Sequence, residues 1–312
     1  MSKKIAFIFP GQGSQTIGMG KSFYENSDIA KEMFDKAGAA IGVDFTELLF
    51  QENEKINETA YTQPAILLVS LIAHRLFSDA NSVKPALLLG HSLGEFSAIS
   101  AAGAIDYIDA VKLVHKRGQL MQEACAGTDA GMMAVIGLDD DGVESVCAKA
   151  QAEGKKVWPA NYNQNGQLVL AGLKADLSAT EAALKEAGAK KAILLNMSIA
   201  SHCDLLASAQ AALKETMDSM LNDTFIAPVI SNVTAAAYDT KAEALELLTD
   251  QLCKPVKYKQ SIEAIAGDAD IAIEFGNGKV LAGLNKRINK ELKMYNISDM
   301  DSLASVVSEL AE

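Results

Sequence analysis

The pentapeptide Gly90-His91-Ser92-Leu93-Gly94 lies between an apolar run, Ala86–Leu89, and a small-residue stretch that suits a helix. A G-x-S-x-G pattern with a strand before it and a helix after it restricts the fold more than any other segment of this chain. The turn joining the two elements is tight enough to favour glycine at the flanking positions. It predicts that Ser92 Oγ stands clear of the chain at a helix N-terminus, where backbone N–H groups favour a developing negative charge. Ser92 is therefore a candidate nucleophile.

The remaining sequence reads as α/β. Lys4–Phe9 is a buried strand, followed by the flexible loop Pro10-Gly11-Gln12-Gly13-Ser14-Gln15. Gly20-Lys21-Ser22 imitates the end of a phosphate-binding loop, but Gln15 stands where that loop needs glycine, so this reading fails. Helices are predicted at Ile29–Ile41 and at Pro64–Phe77, the latter with Thr62 as N-cap and Pro64 in its first turn. From Gly131 to Met197 the elements shorten into strand, helix, strand, strand, helix, strand, with a hairpin turn at Asn163-Gln164-Asn165-Gly166. Beyond it, helices are expected at Leu205–Ser219, Lys241–Leu252, Ser261–Ala266, Val280–Ile288 and Ser302–Ala311. Strands are expected near Pro228–Ser231 and at Ile271–Phe275. The predicted architecture is a large α/β-hydrolase-like subdomain with a parallel sheet, from residues 1–127 and 198–312. A ferredoxin-like (βαββαβ) small subdomain is inserted at 128–197.

Composition excludes some functions. With 28 basic against 40 acidic residues the net charge is −12, which argues against nucleic acid or an anionic membrane as partner. No apolar run is long enough to span a bilayer, and the N-terminal residues lack the apolar core of a signal peptide, so the expected location is the cytoplasm. The four cysteines, Cys125, Cys147, Cys203 and Cys253, form no paired motif and are expected as free thiols. Asn232-Val233-Thr234 matches a glycosylation acceptor, which carries no meaning without secretion.

A serine nucleophile needs a base, and only four histidines are present. His74 lies in the all-apolar helix. His115 falls roughly 160° from Arg117 on its helical wheel, on the solvated face. His91 precedes the serine and should point away from it. His202, in the loop Ile199-Ala200-Ser201-His202-Cys203-Asp204 after a strand, is left as the base, with Cys203 read as a buried neighbour. A helix capped by Asp106 carries Ala110, Leu113, Val114, Leu120, Met121 and Ala124 within roughly 60° of Arg117. Arg117 is thus a cation set in an apolar stripe, whereas Lys116 is not. A buried guanidinium can meet an anionic ligand; snorkelling or a salt bridge is the plainer reading.

These residues, in this order, resemble the malonyl-CoA:acyl-carrier-protein transacylases of bacterial fatty-acid synthesis. The matching segments are Phe9–Gln15, Gly90–Glu95, Lys116-Arg117-Gly118, Ala160-Asn161-Tyr162-Asn163, Ser201-His202-Cys203, Gln251-Leu252 before Pro255-Val256, Glu274-Phe275-Gly276 and Gly278–Leu281. The resemblance implies ping-pong transfer of malonyl from malonyl-CoA to the phosphopantetheine thiol of acyl carrier protein through a malonyl-serine. It makes Ser92 the nucleophile and His202 the base, oriented by a main-chain carbonyl near Gln251. It assigns the backbone N–H groups of Gln12 and Leu93 to an oxyanion hole and Arg117 to the malonyl carboxylate. His91, Asn161 and Asn163 are implied to line the site, and no cofactor or metal is implied. The sequence departs from the family pattern at Asn165 and Asn277, where proline is common, and at Tyr258, near the usual place of a tryptophan. For the acidic carrier, Lys286, Arg287, Lys290 and Lys293, or Lys185, Lys190 and Lys191, offer basic patches. The alternatives are a serine esterase or thioesterase, which would pair its histidine with an aspartate, an acyltransferase for another acyl group, or a non-catalytic relative.

Overall fold

A computed structural model describes residues 3–311. Its strands are β1 (Ile5–Phe9), β2 (Leu87–Gly90), β3 (Ala130–Ile136), β4 (Val157–Gln164), β5 (Gln167–Leu173), β6 (Lys191–Leu194), β7 (Val229–Ile230), β8 (Ala237–Tyr238), β9 (Ile271–Phe275) and β10 (Lys293–Ile297). They form two sheets, in the orders β10-β9-β1-β2-β7-β8 and β4-β5-β3-β6.

The larger sheet follows from its apolar strands. β1 is buried at every position, as are β2 and β9, the mark of strands covered on both faces. β1 pairs in parallel with β2 and with β9, and β10 and β7 extend the parallel set on either side. Only β8, a two-residue strand, runs antiparallel, so the sheet is mixed at that edge. β10 is absent from the sequence-level expectation because, as a half-exposed edge strand, it shows no continuous apolar run. Against one face, Phe7 packs edge-to-face on Phe275 and Phe77, with ring centroids 4.9 and 5.8 Å apart. Phe77 belongs to the long helix Thr59–Ala80. Among the described residues no helix is long and apolar enough to cross a membrane.

That helix begins earlier than expected, and Pro64 lies within it instead of in its first turn. Proline removes the N–H that would bond the carbonyl four residues back. Here that carbonyl belongs to Ala60, and His115 Nδ1 bonds it at 2.7 Å. His115 is accordingly half-buried between helices and not on a solvated face. Thr62, the expected N-cap, is wholly buried, and its hydroxyl instead bonds the Ile56 and Glu58 carbonyls.

The smaller sheet is antiparallel throughout, with a two-residue turn at Asn165-Gly166. Its alternation divides it between two cores. Met133, Val135, Leu168 and Leu170 pack with Val143, Cys147, Leu177 and Leu184 of the helices Asp140–Ala152 and Lys174–Glu186. Met132, Val169 and Ala171, on the opposite face, join the main core. β4 is tied to the larger unit by main-chain bonds from Tyr162 N–H to the Val256 carbonyl and from Val256 N–H to the Ala160 carbonyl, 2.9 and 2.8 Å.

The helix Tyr107–Cys125, capped by Asp106 on Ile108 N–H, crosses the long helix closely at Gly118. A Cβ there would sit 2.6 Å from Ala60 Cα and 2.7 Å from the Thr59 carbonyl oxygen, both backbone atoms. Gly118→Ala is therefore expected to destabilise the protein by about 1–3 kcal/mol, against a helix-propensity gain of about 1 kcal/mol. Urea unfolding should show a lower midpoint with an unchanged slope; a raised midpoint would contradict this helix contact.

Candidate active site

β1 and β2 are neighbours whose carboxyl ends open into Pro10–Gln15 and the Ser92 turn, the place where open α/β sheets collect ligands. Ser92 has φ 52° and ψ −105°, one of three non-glycine residues with positive φ among those described. Such a conformation costs on the order of 1–3 kcal/mol and persists only where its surroundings enforce it. Asn232 does so from both sides: its Oδ1 accepts Ser92 N–H at 2.7 Å and its Nδ2 donates to the Gly90 carbonyl at 2.7 Å. Gly94 is required because a Cβ there would meet the Phe9 carbonyl oxygen at 2.0 Å. That approach sets the Gln12 loop beside the turn. Neither Gln12 N–H nor Leu93 N–H has a hydrogen-bond partner among the described residues. Both residues line a cavity of about 570 Å³ with Ser92, Arg117 and His202.

His202 also has positive φ, 61°, and is 2% exposed. Its Nε2 is 2.8 Å from Ser92 Oγ, and its Nδ1 is 2.6 Å from the Gln251 main-chain oxygen. A carbonyl only accepts, so the ring proton belongs on Nδ1 and Nε2 is free to take the serine proton. Burial, reinforced by the Arg117 charge, pushes this imidazole down to about 3, against the help of the Gln251 bond. Cys203 is buried and its thiol is pushed up to about 12, so it stays protonated beside the histidine.

Arg117 is 1% exposed. Nη1 donates to Gln63 Oε1 at 2.8 Å, and Nη2 donates to Gln251 Oε1 at 3.1 Å and to Ser92 Oγ at 3.4 Å. The guanidinium carbon lies 5.0 Å above the Phe96 ring, while Nε has no partner. Among the described residues no carboxylate forms a salt bridge with it. Burial lowers its pKa to about 10, with Glu95 acting in the opposite sense, so it remains a cation at neutral pH. A buried, charged group held only by neutral oxygens is suited to an incoming carboxylate.

The other expected residues divide. His91 Nε2 bonds Asn163 Oδ1 at 2.8 Å, and its ring packs on Tyr258; it points off toward β4 but still lines the cavity. Asn161 lies on the same wall with a buried, unpartnered Oδ1. His74 packs among Phe7, Phe9 and Phe275, away from the site, and burial pushes it down to about 4. Of the basic groups, Lys286 and Arg287 are exposed on the helix Val280–Ile288, whose first turns line the cavity. Lys185 and Lys293 are engaged by Glu181 and Glu309.

Sequence reasoning passes over three contributors. Asn232, noticed only as a glycosylation acceptor, is fully buried under the serine turn. Asn277 Nδ2 bonds the Ser14 carbonyl and Thr16 Oγ1 at 2.6 and 2.9 Å, pinning the Gln12 loop from the end of the adjacent strand β9. Glu95 is fully buried, accepting from Asn232 N–H, Gln251 Nε2 and Tyr238 Oη, and burial pushes it up to about 7 against those bonds and Arg117. Its signals are its place at the end of the Gly90–Glu95 segment and its being the one charge in the helix Leu93–Ala101.

The chain matches the acyl transferase domain family over residues 6–301. It is 40% identical over 311 residues to a malonyl CoA-acyl carrier protein transacylase of Bacillus subtilis, covering 99% of this chain and 98% of that protein. Its fold matches the crystal structure of malonyl-CoA:acyl carrier protein transacylase from Helicobacter pylori at TM-score 0.96 and 47% identity, over 100% of this chain and 99% of that one. A type II PKS acyl-carrier protein in complex with its malonyl-transacylase gives TM-score 0.94 and 35% identity, covering 98% and 99%.

The neutral imidazole is the form that accepts the serine proton, and its lowered pKa keeps it neutral well below the ordinary 6.5. Modification of Ser92 by a sulfonyl fluoride is therefore expected at a constant rate from about pH 8 to about pH 5. A rate that halves near pH 6.5 would show a solvated histidine.

Proposed function

The chain belongs to the acyl transferase domain family, among the malonyl CoA-acyl carrier protein transacylases, and we propose that its malonyl transfer runs through Ser92 and His202. It is an acyltransferase that moves malonyl from malonyl-CoA to acyl carrier protein, supplying fatty-acid synthesis. The observation that carries the assignment of substrate is Arg117, a buried cation 3.4 Å from the nucleophile with no ionic partner among the described residues.

In the first half-reaction His202 Nε2 takes the Ser92 proton as Oγ attacks the thioester carbonyl. The N–H groups of Gln12 and Leu93 receive the oxyanion, each such donor being worth on the order of 3 kcal/mol. Collapse breaks the carbon–sulfur bond, and His202 returns its proton to the departing CoA thiol. The malonyl ester stays on Ser92, its free carboxylate on the Arg117 guanidinium. In the second half-reaction the phosphopantetheine thiol of acyl carrier protein gives its proton to His202, attacks the ester and leaves as the malonyl thioester, while Ser92 Oγ recovers the proton. Gln251 supports both halves, because its main-chain oxygen orients His202 and its side chain orients Arg117.

Selection for malonyl follows from desolvation. An acyl group without a carboxylate leaves the guanidinium unpaired, and a missing partner for a buried charge costs about 3–5 kcal/mol. The chemistry uses no cofactor or metal. Free thiols at all four cysteines accord with a reducing, cytoplasmic setting.

Intact-protein mass spectrometry after mixing with malonyl-CoA should show a malonyl adduct that Ser92→Ala abolishes. Rapid release of free malonate without an adduct would instead identify a thioesterase. Arg117→Ala should lower malonyl transfer roughly 10²- to 10³-fold and acetyl transfer much less. Equal losses would restrict Arg117 to a part in folding.

A further inference from the structure

We propose that Glu95 is a positioning residue that fixes which way the Gln251 amide faces, and through that amide aims Arg117 at the substrate carboxylate. The inference rests on the reading of Arg117 given above.

The neighbours of the Gln251 side chain fall into two chemical kinds. On one side is a donor, Arg117 Nη2, 3.1 Å from Oε1. On the other are three acceptors around Nε2: Glu95 Oε2 at 2.7 Å, the Ser92 carbonyl at 3.1 Å and Asn232 Oδ1 at 3.4 Å. An amide turned over by 180° would set its N–H against the guanidinium and its oxygen against a carboxylate. The shortest of the three contacts is the one to Glu95, whose carboxyl oxygens already accept from two other donors, so Glu95 dominates the choice. Glu95 is itself fixed, with Oε2 also accepting Asn232 N–H at 3.1 Å and Oε1 accepting Tyr238 Oη at 3.0 Å.

The arrangement resolves a conflict at Arg117. A carboxylate bonded directly to the guanidinium would hold it in place but occupy the group needed for substrate. Glu95 sits one residue away, so its carboxyl group is hydrogen-bonded to Arg117 only through Gln251, while the hydrogen bonds of the guanidinium go to the neutral oxygens of Gln63, Gln251 and Ser92. His202 depends on the Gln251 main-chain oxygen and not on its amide. Turning the amide therefore disturbs recognition of the carboxylate more than proton transfer.

The test compares acylation of Ser92 by malonyl-CoA and by acetyl-CoA in the full chain and in two variants. Glu95→Ala removes the acceptor, and kcat/KM for malonyl-CoA is expected to fall about 10- to 100-fold further than for acetyl-CoA, chiefly through KM. Glu95→Gln can turn its oxygen toward Gln251 and Asn232 and its NH2 toward Tyr238 Oη, so it is expected to recover most of the lost malonyl preference. Equal losses for both substrates in Glu95→Ala, an intact preference in it, or a Glu95→Gln no better than Glu95→Ala would each overturn the proposal. If Glu95→Ala does not fold, Glu95→Asp keeps the charge but draws it back by one methylene. The same malonyl-selective loss is expected there, and an unchanged preference overturns the proposal. A wild-type chain that forms no malonyl adduct would overturn the underlying reading instead, so the two failures are distinct.

Discussion

Arg117 holds a full positive charge at 1% exposure without a salt bridge among the described residues, and much of the surrounding structure answers to that condition. Removing a cation from water costs several kcal/mol unless it is well hydrogen-bonded. The protein meets this with two glutamine oxygens, an aromatic face and a carboxylate one residue distant. Each requires a close approach. Gln63 comes within reach because the two long helices touch at Gly118, and Gln251 because its turn lies under the serine. The same charge acts on His202, reinforcing the burial that keeps the imidazole neutral. Recognition of a carboxylate and readiness of the base are thus electrostatically linked.

Ser92 and His202 are both held at positive φ, and the restraints on them converge. Asn232 grips the serine turn at the Gly90 carbonyl and the Ser92 N–H, while Gln251 bonds the Ser92 carbonyl with its side chain and His202 with its main chain. One polar cluster beneath the turn therefore fixes the separation of nucleophile and base.

The readable part of the sequence was the part with local signatures. The serine turn, the cation in an apolar stripe and the βαββαβ order of the small sheet each announce themselves within a few turns of chain. Elimination among four histidines brought His202 to the position where the structure sets it, against Ser92 Oγ. What escaped depends on partners distant in sequence. Asn232 looks like a loop asparagine until Gly90 and Ser92 are brought to it. His115 lies on the outer side of its own helix, yet a neighbouring helix with a proline-freed carbonyl covers it. β10 has no apolar pattern because its side chains, at the edge of the sheet, are mostly only half-buried. Asn277, legible only as a departure from the family pattern, holds the Gln12 loop from the far end of the chain.

The order of the larger sheet also bears on how the chain reaches its fold. β1 leads the strands in sequence but lies in the interior of the sheet, with β2 on one side and β9 on the other. On a ribosome it would be made early and would find β2 only after some eighty further residues; its second edge stays open until Ile271–Phe275 emerges. Pairings that distant close slowly, and an open apolar edge invites other chains to pair with it. A nascent chain of this protein is thus exposed to aggregation through β1 for most of its synthesis, and a chaperone that shields that strand would act before the catalytic cleft, which needs His202 and Gln251, is complete.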